Sequence, residues 1–379
     1  MSNTILRLLP IMVTFFAMGA VDFVGIATNY VKQDFMLSDT IANLFTSMVF
    51  FWFLIFSVPT GILMNKIGRR KTVILSLWIT VVALAIPFLG YNLFIILLSF
   101  SLLGIGNTIM QVSLNPLLSN IVSKERLSSA LTFGQFVKAC ASFVAPILAG
   151  WSMIQFGTWQ ILFPFFLIVS LIAIFMLSRE QIEEDEIGQP ASFRECFSLL
   201  GKLPILLCFL GIICHVGIDV GSNVSIPKIM MQKLTIPLET AGIATSIYFL
   251  FRTIGSLSGS YLLTKMSTRK FFSISVVMMF CAMLGLFLFD SKTALYTCIA
   301  FIGYGNANIF PIVFAQAMQI MPTKKNEVSG LMVMGVFGGT VFPLIMGFVS
   351  DMVQSQMGNI AVMLCGIAYL IFLSRKIDQ

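Results

Sequence analysis

Four ionisable side chains, Asp22, Lys138, His215 and Asp219, stand inside long apolar runs, and Arg252 lies in another. An ion at membrane depth costs at least ~2.5 kcal/mol on insertion scales, so each needs a partner or a watery cavity. Asp22 and Asp219 are the carboxylates able to take up and release a coupling proton, and His215, with its near-neutral pKa, is a candidate relay. His215 and Asp219 are four residues apart and share a helix face, which Asn223 continues. A second set is made of amides. Asn107, Gln111 and Asn115 recur every four residues, Gln135 precedes Lys138 by three, and Asn306 and Asn308 follow in a later run. Amides both donate and accept, which suits the hydroxyls of a polyol or sugar, and Phe51, Trp52 and Phe53 offer an apolar face for one. Plainer readings stand beside these. Asp22 and Lys138 can form a structural ion pair, His215 can be a hydrogen-bonded packing residue, and Arg252 can anchor a helix or pair with a carboxylate.

The elements that position these groups follow from composition. Of 379 residues, 58% are apolar and only 10% charged, whereas about a quarter of a soluble domain is charged. Runs of about 20 apolar residues cross a bilayer as helices, and their continuous rather than alternating apolarity excludes a barrel. Twelve spans are expected: 9–31, 41–64, 72–90, 93–121, 128–152, 159–178, 203–230, 240–263, 271–289, 293–321, 327–350 and 358–374. An even number puts both termini on one side. The first span carries Asp22 and lacks a cleavage pattern, so it reads as a transmembrane helix rather than a signal peptide.

Charge sets the orientation. Seventeen basic residues fall in loops of one side and three (Lys32, Lys233 and Lys292) on the other, with Lys138, Lys228 and Arg252 inside spans. This bias places both termini and the central loop in the cytoplasm of an inner-membrane protein. The net charge of +7 is therefore topology, with no nucleic-acid partner implied. Seven cysteines without paired spacing, six of them in spans, and a single His argue against metal sites, disulfides and enzyme chemistry.

The chain is also duplicated. Asn65-Lys66-Ile67-Gly68-Arg69-Arg70-Lys71 recurs 199 residues later as Thr264-Lys265-Met266-Ser267-Thr268-Arg269-Lys270, with three basic positions matched. Gly104-Ile105-Gly106-Asn107 and Gly303-Tyr304-Gly305-Asn306 keep that offset, and Pro146–Gly150 matches Pro343–Gly347 at 197. Two six-helix halves, 1–178 and 203–379, joined by a polar linker at 179–202 with a short helix near 193–200, account for this layout. The first, fourth, seventh and tenth spans carry most of the polar residues, as expected if equivalent helices line a cavity.

Gly61, Asn65, Lys66, Gly68, Arg69 and Arg70 resemble the signature loop of the major facilitator superfamily, where Asp is usual at the position of Asn65. Asn115-Pro116, Gln135, Phe310-Pro311 and Ser329-Gly330-Leu331 through Gly338-Gly339 and Pro343 resemble the fucose–proton symporter family. The resemblance implies a twelve-helix, all-α membrane fold in two pseudo-symmetric halves. It implies a monomeric importer of a hexose, deoxyhexose or related sugar, driven by H+ or Na+ and using no other cofactor. Substrate would meet Gln111, Asn115, Gln135, Lys138, Asn306 and Asn308; Asp22, Asp219 and His215 would couple; Gly61, Asn65, Gly68, Arg69, Arg70 and Arg252 would serve gating and structure. The family's acid in span one falls at Ile26, its span-four glutamate at Gln111 and a span-five asparagine at Lys138. Lys138 then either pairs with Asp22 and leaves a neutral-sugar site, or binds the carboxylate of a sialic acid or hexuronate. A drug or metabolite exporter is the other alternative, disfavoured by the polar stripes.

Overall fold

The computed structural model describes residues 2–37, 39–184, 192–236, 241 and 243–376. Asp185 and Glu186 of the acidic linker and the start of the eighth span at 240 lie outside the described residues. Among the described residues every regular element is helical, as expected where lipid offers backbone amides no partner.

Eleven helical stretches among the described residues are long and apolar enough to cross a membrane. The eighth of the twelve expected spans is the difference. Ile243–Leu262 forms a helix of 20 residues, but four serines, two glycines, two threonines and Arg252 make it too polar to count by composition. Large apolar side chains such as Phe94, Ile154, Leu288 and Leu344 remain exposed, the surface that lipid covers in a multi-pass membrane protein.

Three spans are interrupted, and two of the breaks carry the polar residues singled out above. The first runs Ser2–Met18, a 3-10 turn at Gly19–Asp22, then Phe23–Asp34. The tenth is split at Ala307 and Asn308 between Lys292–Asn306 and Ile309–Ile320. The eleventh changes pitch at Gly335–Phe337. At the first break a Cβ on Gly19 would lie 2.6 Å from the Ala141 Cβ and 2.8 Å from the Lys138 carbonyl oxygen. Only glycine lets the helix carrying Asp22 approach the helix carrying Lys138 this closely.

Contacts group the chain into two compact units. One comprises Met1–Leu127, Gly134–Ser198 and Met321–Met334; the other comprises Ser128–Phe133, Leu199–Ile320 and Gly335–Gln379. The stretch 321–334 thus belongs with the first unit, although the duplication assigns it to the second half. Its helix Lys325–Met334 packs on Asp39–Ile67 and Leu93–Leu118. Close backbone approach makes this possible: a Cβ on Gly61 would meet the Asn326 carbonyl at 2.7 Å, and one on Gly330 the Ser57 carbonyl at 2.8 Å. In the linker, Phe193–Ser198 is helical and opens on a capping box, Ser192 N–H to Glu195 Oε2 at 2.7 Å and Glu195 N–H to Ser192 Oγ at 3.3 Å. The Ser192 backbone bond holds the Glu195 carboxyl below its usual range.

One contact within the first unit repairs a defect the sequence creates. Pro116, inside Leu93–Leu118, has no N–H, so the carbonyl of Val112 loses its helical donor. Ser329 Oγ donates to that carbonyl at 2.5 Å. One residue earlier Asn115 Nδ2 donates to the Gln111 carbonyl at 2.9 Å. Ser329→Ala strands the Val112 carbonyl in a buried contact and should cost about 1–3 kcal/mol. Thermal unfolding of the purified protein should show a lowered Tm for Ser329→Ala and near-native behaviour for Ser329→Thr. An unchanged Tm in the alanine variant would remove this role.

Candidate functional site

In the first unit Asp22 ends the 3-10 turn of the first span. Its Oδ2 lies 3.6 Å from Lys138 Nζ and accepts a 2.5 Å hydrogen bond from Ser142 Oγ. Lys138 and Ser142 are four apart on the helix Leu127–Phe156, so one helix face supplies both partners. The carboxylate side chain is 37% exposed and the lysine 18%, so the pair sits at an accessible surface. Gln111 and Gln135 are half-buried. Asn107 and Asn115 are buried, and Asn115 directs its Nδ2 to its own helix.

The second unit gathers a denser cluster from three spans. Asp219 Oδ1 accepts from Tyr248 Oη at 2.6 Å and from Asn306 Nδ2 at 3.2 Å, and Asp219 Oδ2 lies 3.2 Å from Arg252. Asn306 Nδ2 also donates to Tyr248 Oη at 2.9 Å, and Asn306 Oδ1 is 2.8 Å from His215 Nδ1. Five side chains therefore share one network around one carboxylate. Asn306 makes the join because its amide presents donor and acceptor together. His215, Tyr248 and Asn306 are buried, while Arg252 keeps 34% of its side chain exposed.

Tyr248 is the residue that the sequence reading missed. It lies four before Arg252 on the helix Ile243–Leu262, and a phenol on the arginine's own face is the signal that would have found it. Asp219 also stands 197 residues after Asp22, the offset already seen for the proline–glycine segments. The duplicated carboxylate is thus paired with a cation in each unit, Lys138 in one and Arg252 in the other. Asn223, on the same helix as His215 and Asp219, is exposed and outside the network. Asn308 is placed differently from Asn306. It is fully buried, donates to the Gly255 carbonyl at 3.0 Å, and fills the space that a Cβ on Gly259 would need.

The basic loop of the first unit is a structural joint. Gly68, with φ at +87°, precedes the helix Arg69–Ala85. The first two N–H groups of that helix, Arg69 and Arg70, are capped by the Glu184 carboxylate at 2.6 and 2.7 Å. Arg70 in turn donates to the Leu177 and Ser178 carbonyls at 2.9 and 2.5 Å, capping the end of Leu162–Arg179. Arg69 reaches Asn326 Oδ1 at 2.7 Å and Asn120 Oδ1 at 2.6 Å. Asn65 Nδ2 donates to Glu327 Oε1 at 2.6 Å, and Asn65 Oδ1 accepts from Asn326 Nδ2 at 2.6 Å. An aspartate here could not donate, and it would set a second carboxylate against the buried Glu327. The exchange of Asp for Asn thus has a physical cause in the acid opposite.

Comparison with known proteins bears on the family and the fold. A family model described as Major Facilitator Superfamily matches residues 11–221 and 207–377. A glucose/galactose transporter of Brucella abortus is 24% identical over 365 residues, covering 90% of this chain and 87% of that protein. The L-fucose-proton symporter of Escherichia coli is 22% identical over 374 residues, covering 84% and 81%. A crystal structure of the E. coli fucose:proton symporter superposes with a TM-score of 0.86 at 15% identity, covering 99% of each chain, which shows a shared fold.

The Asn65–Glu327 joint makes a sharp prediction. Asn65→Asp should destabilise the protein by about 1–3 kcal/mol, through a lost donor and like-charge repulsion. Adding Glu327→Gln should restore most of that loss, because the amide can donate to the new carboxylate. A double variant no more stable than Asn65→Asp alone, in thermal or denaturant unfolding, would contradict the pairing.

Proposed function

The chain belongs to the Major Facilitator Superfamily, and from that premise we propose that it imports a monosaccharide, a hexose or deoxyhexose, by proton-driven symport. The observation that carries the reading is the repeated carboxylate. Asp22 and Asp219 occupy matching positions of a duplicated membrane module, each is paired with a cation, and amides lie nearby. Ion pairs that can be opened by a proton, beside groups that bind hydroxyls, are what sugar–proton coupling requires. The names of the relatives from Brucella abortus and Escherichia coli point to the same substrate class.

The two carboxylates have different surroundings, and we assign them different roles. Asp22 is the more open, and its Lys138 contact is long at 3.6 Å, so it is the group that exchanges protons with water. Protonation would remove its charge and release Lys138, biasing the conformational equilibrium toward the state that hides the site. Asp219 is held by Tyr248, Asn306 and Arg252. It organises the second unit's amide and phenol groups for substrate, with His215 orienting Asn306. In the first unit the half-buried amides of Gln111 and Gln135 are the candidate hydroxyl-binding groups.

Lys138 decides between neutral and acidic sugars. Its pairing with Asp22 leaves no net positive charge to recruit a substrate carboxylate, which favours a neutral sugar. The sequence bias of seventeen basic loop residues to three supports an inner-membrane protein with both termini in the cytoplasm. A monomer suffices for this mechanism.

Two measurements test the reading. Thermal-shift screening against neutral and acidic sugars, at two pH values and with or without sodium, should show stabilisation by neutral hexoses that persists in Lys138→Gln. Stabilisation by acidic sugars alone, abolished in that variant, would overturn the neutral-sugar assignment. In proteoliposomes Asp22→Asn should abolish uphill accumulation while keeping sugar exchange, and Asp219→Asn should weaken both. Uphill, proton-dependent accumulation retained by both variants would end the coupling proposal.

A further inference from the structure

The second unit contains a polar cavity that the Asp219 cluster does not use. It measures about 750 Å³ and lies where the helix Leu203–Leu234 ends, beside the turn between Gly338–Val353 and Met357–Ser374. That volume is within the roughly 300–1,000 Å³ of small-molecule sites. Its walls carry Lys228, Asp351, Gln232, Gln354, Ser355 and Gln356. A smaller chamber of about 100 Å³ adjoins it and shares Lys228, Asp351 and Gln356.

This wall is built rather than incidental. Gln354 adopts a left-handed φ of +51°, turning the chain between the two helices. Gln232 fixes that turn by direct contact: its Nε2 donates to Ser355 Oγ at 3.1 Å, and its Oε1 accepts from the Gln356 N–H at 2.9 Å. Ser350 Oγ donates to the Ser355 carbonyl at 2.9 Å, and Asn359 Nδ2 to Gln356 Oε1 at 2.7 Å. Two opposite charges line this fixed frame without meeting. Among the described residues neither Lys228 nor Asp351 has an ion-pair or side-chain hydrogen-bond partner. The exposed Lys228 and Asp351, with the amides of the same open pocket, offer donors and acceptors to a ligand that is neutral overall and rich in hydroxyls.

We propose that this cavity is a second sugar site, an encounter site for a neutral monosaccharide at the outer mouth of the second unit. Lys228 donates to one hydroxyl, Asp351 accepts from another, and the glutamine amides select a polyol over an apolar solute. Lys228 is nine residues beyond Asp219 on the same helix, about 13 Å along its axis. Sugar captured here is delivered toward the inner cluster along one helix. The inference rests on the sugar-import reading, and on the orientation that places this end of the helix outside.

The test is initial-rate uptake of labelled D-glucose and D-galactose by proteoliposomes of the full chain, made from phosphatidylcholine alone or with phosphatidylethanolamine. The double variant Lys228→Gln with Asp351→Asn should raise KM about tenfold, the equivalent of one charge-assisted hydrogen bond of about 1.4 kcal/mol, and leave maximal uptake unchanged. Met231→Trp, which narrows the cavity and removes no hydrogen-bonding side chain from its wall, should raise KM similarly with an unchanged Tm. Native KM in both variants overturns the encounter site while leaving the transport reading intact. A KM change seen only with phosphatidylethanolamine also overturns it, because the cavity then holds a zwitterionic lipid headgroup. No uptake of any monosaccharide by the unaltered protein instead overturns the transport reading on which the site depends.

Discussion

In a bilayer a polar group that loses its partner has no water to fall back on, and this constraint shapes many of the chain's polar features. The Val112 carbonyl that Pro116 strands is met by Ser329. The N–H groups that start Arg69–Ala85 are met by Glu184, and the last carbonyls of Leu162–Arg179 by Arg70. Asp22 is met by Lys138 and Ser142, and Asp219 by Tyr248, Asn306 and Arg252. Satisfaction is not uniform. The bonds of the structural joints are short, whereas the Asp22–Lys138 contact is 3.6 Å and its carboxylate is accessible.

Small residues bring these partners within reach. Gly19 allows the first helix to lie against Lys138 and Ala141, Gly61 admits the Asn326 backbone, Gly255 admits the Tyr304 backbone, and Gly259 makes room for Asn308. Each permits a backbone or amide to come closer than a side chain would allow, the usual device for packing helices where apolar burial supplies little drive. Packing and chemistry are therefore coupled. The glycine that tightens the first unit also sets the distance of its ion pair.

Much of this was legible in the residues themselves. Ionisable groups inside apolar runs had to have partners, so Asp22 with Lys138, and Asp219 beside His215 and Arg252, stood out before any geometry. The duplication was legible as well, since loop charges and glycine spacings survive in register. What was not legible depended on long-range packing. Glu327 begins the expected span 327–350 and was not singled out, yet the helix Lys325–Met334 buries it against Asn65. Tyr248 looked like one aromatic among many. Asn306 and Asn308 looked alike, but one joins the carboxylate network and the other fills a helix contact, because the helix breaks between them at Ala307 and Asn308. The grouping of 321–334 with the first unit likewise follows from glycine contacts at Gly61 and Gly330, which no repeat offset records.

The central claim is that sugar entry is coupled to a proton through an ion pair that a proton can open. The direct measurement is the external pH of a lightly buffered suspension of proteoliposomes carrying the protein, with no imposed gradient, when D-glucose or D-galactose is added. The account predicts external alkalinisation on sugar addition, absent with Asp22→Asn although that variant still exchanges labelled sugar. Sugar entry without alkalinisation, or undiminished alkalinisation in Asp22→Asn, would contradict it.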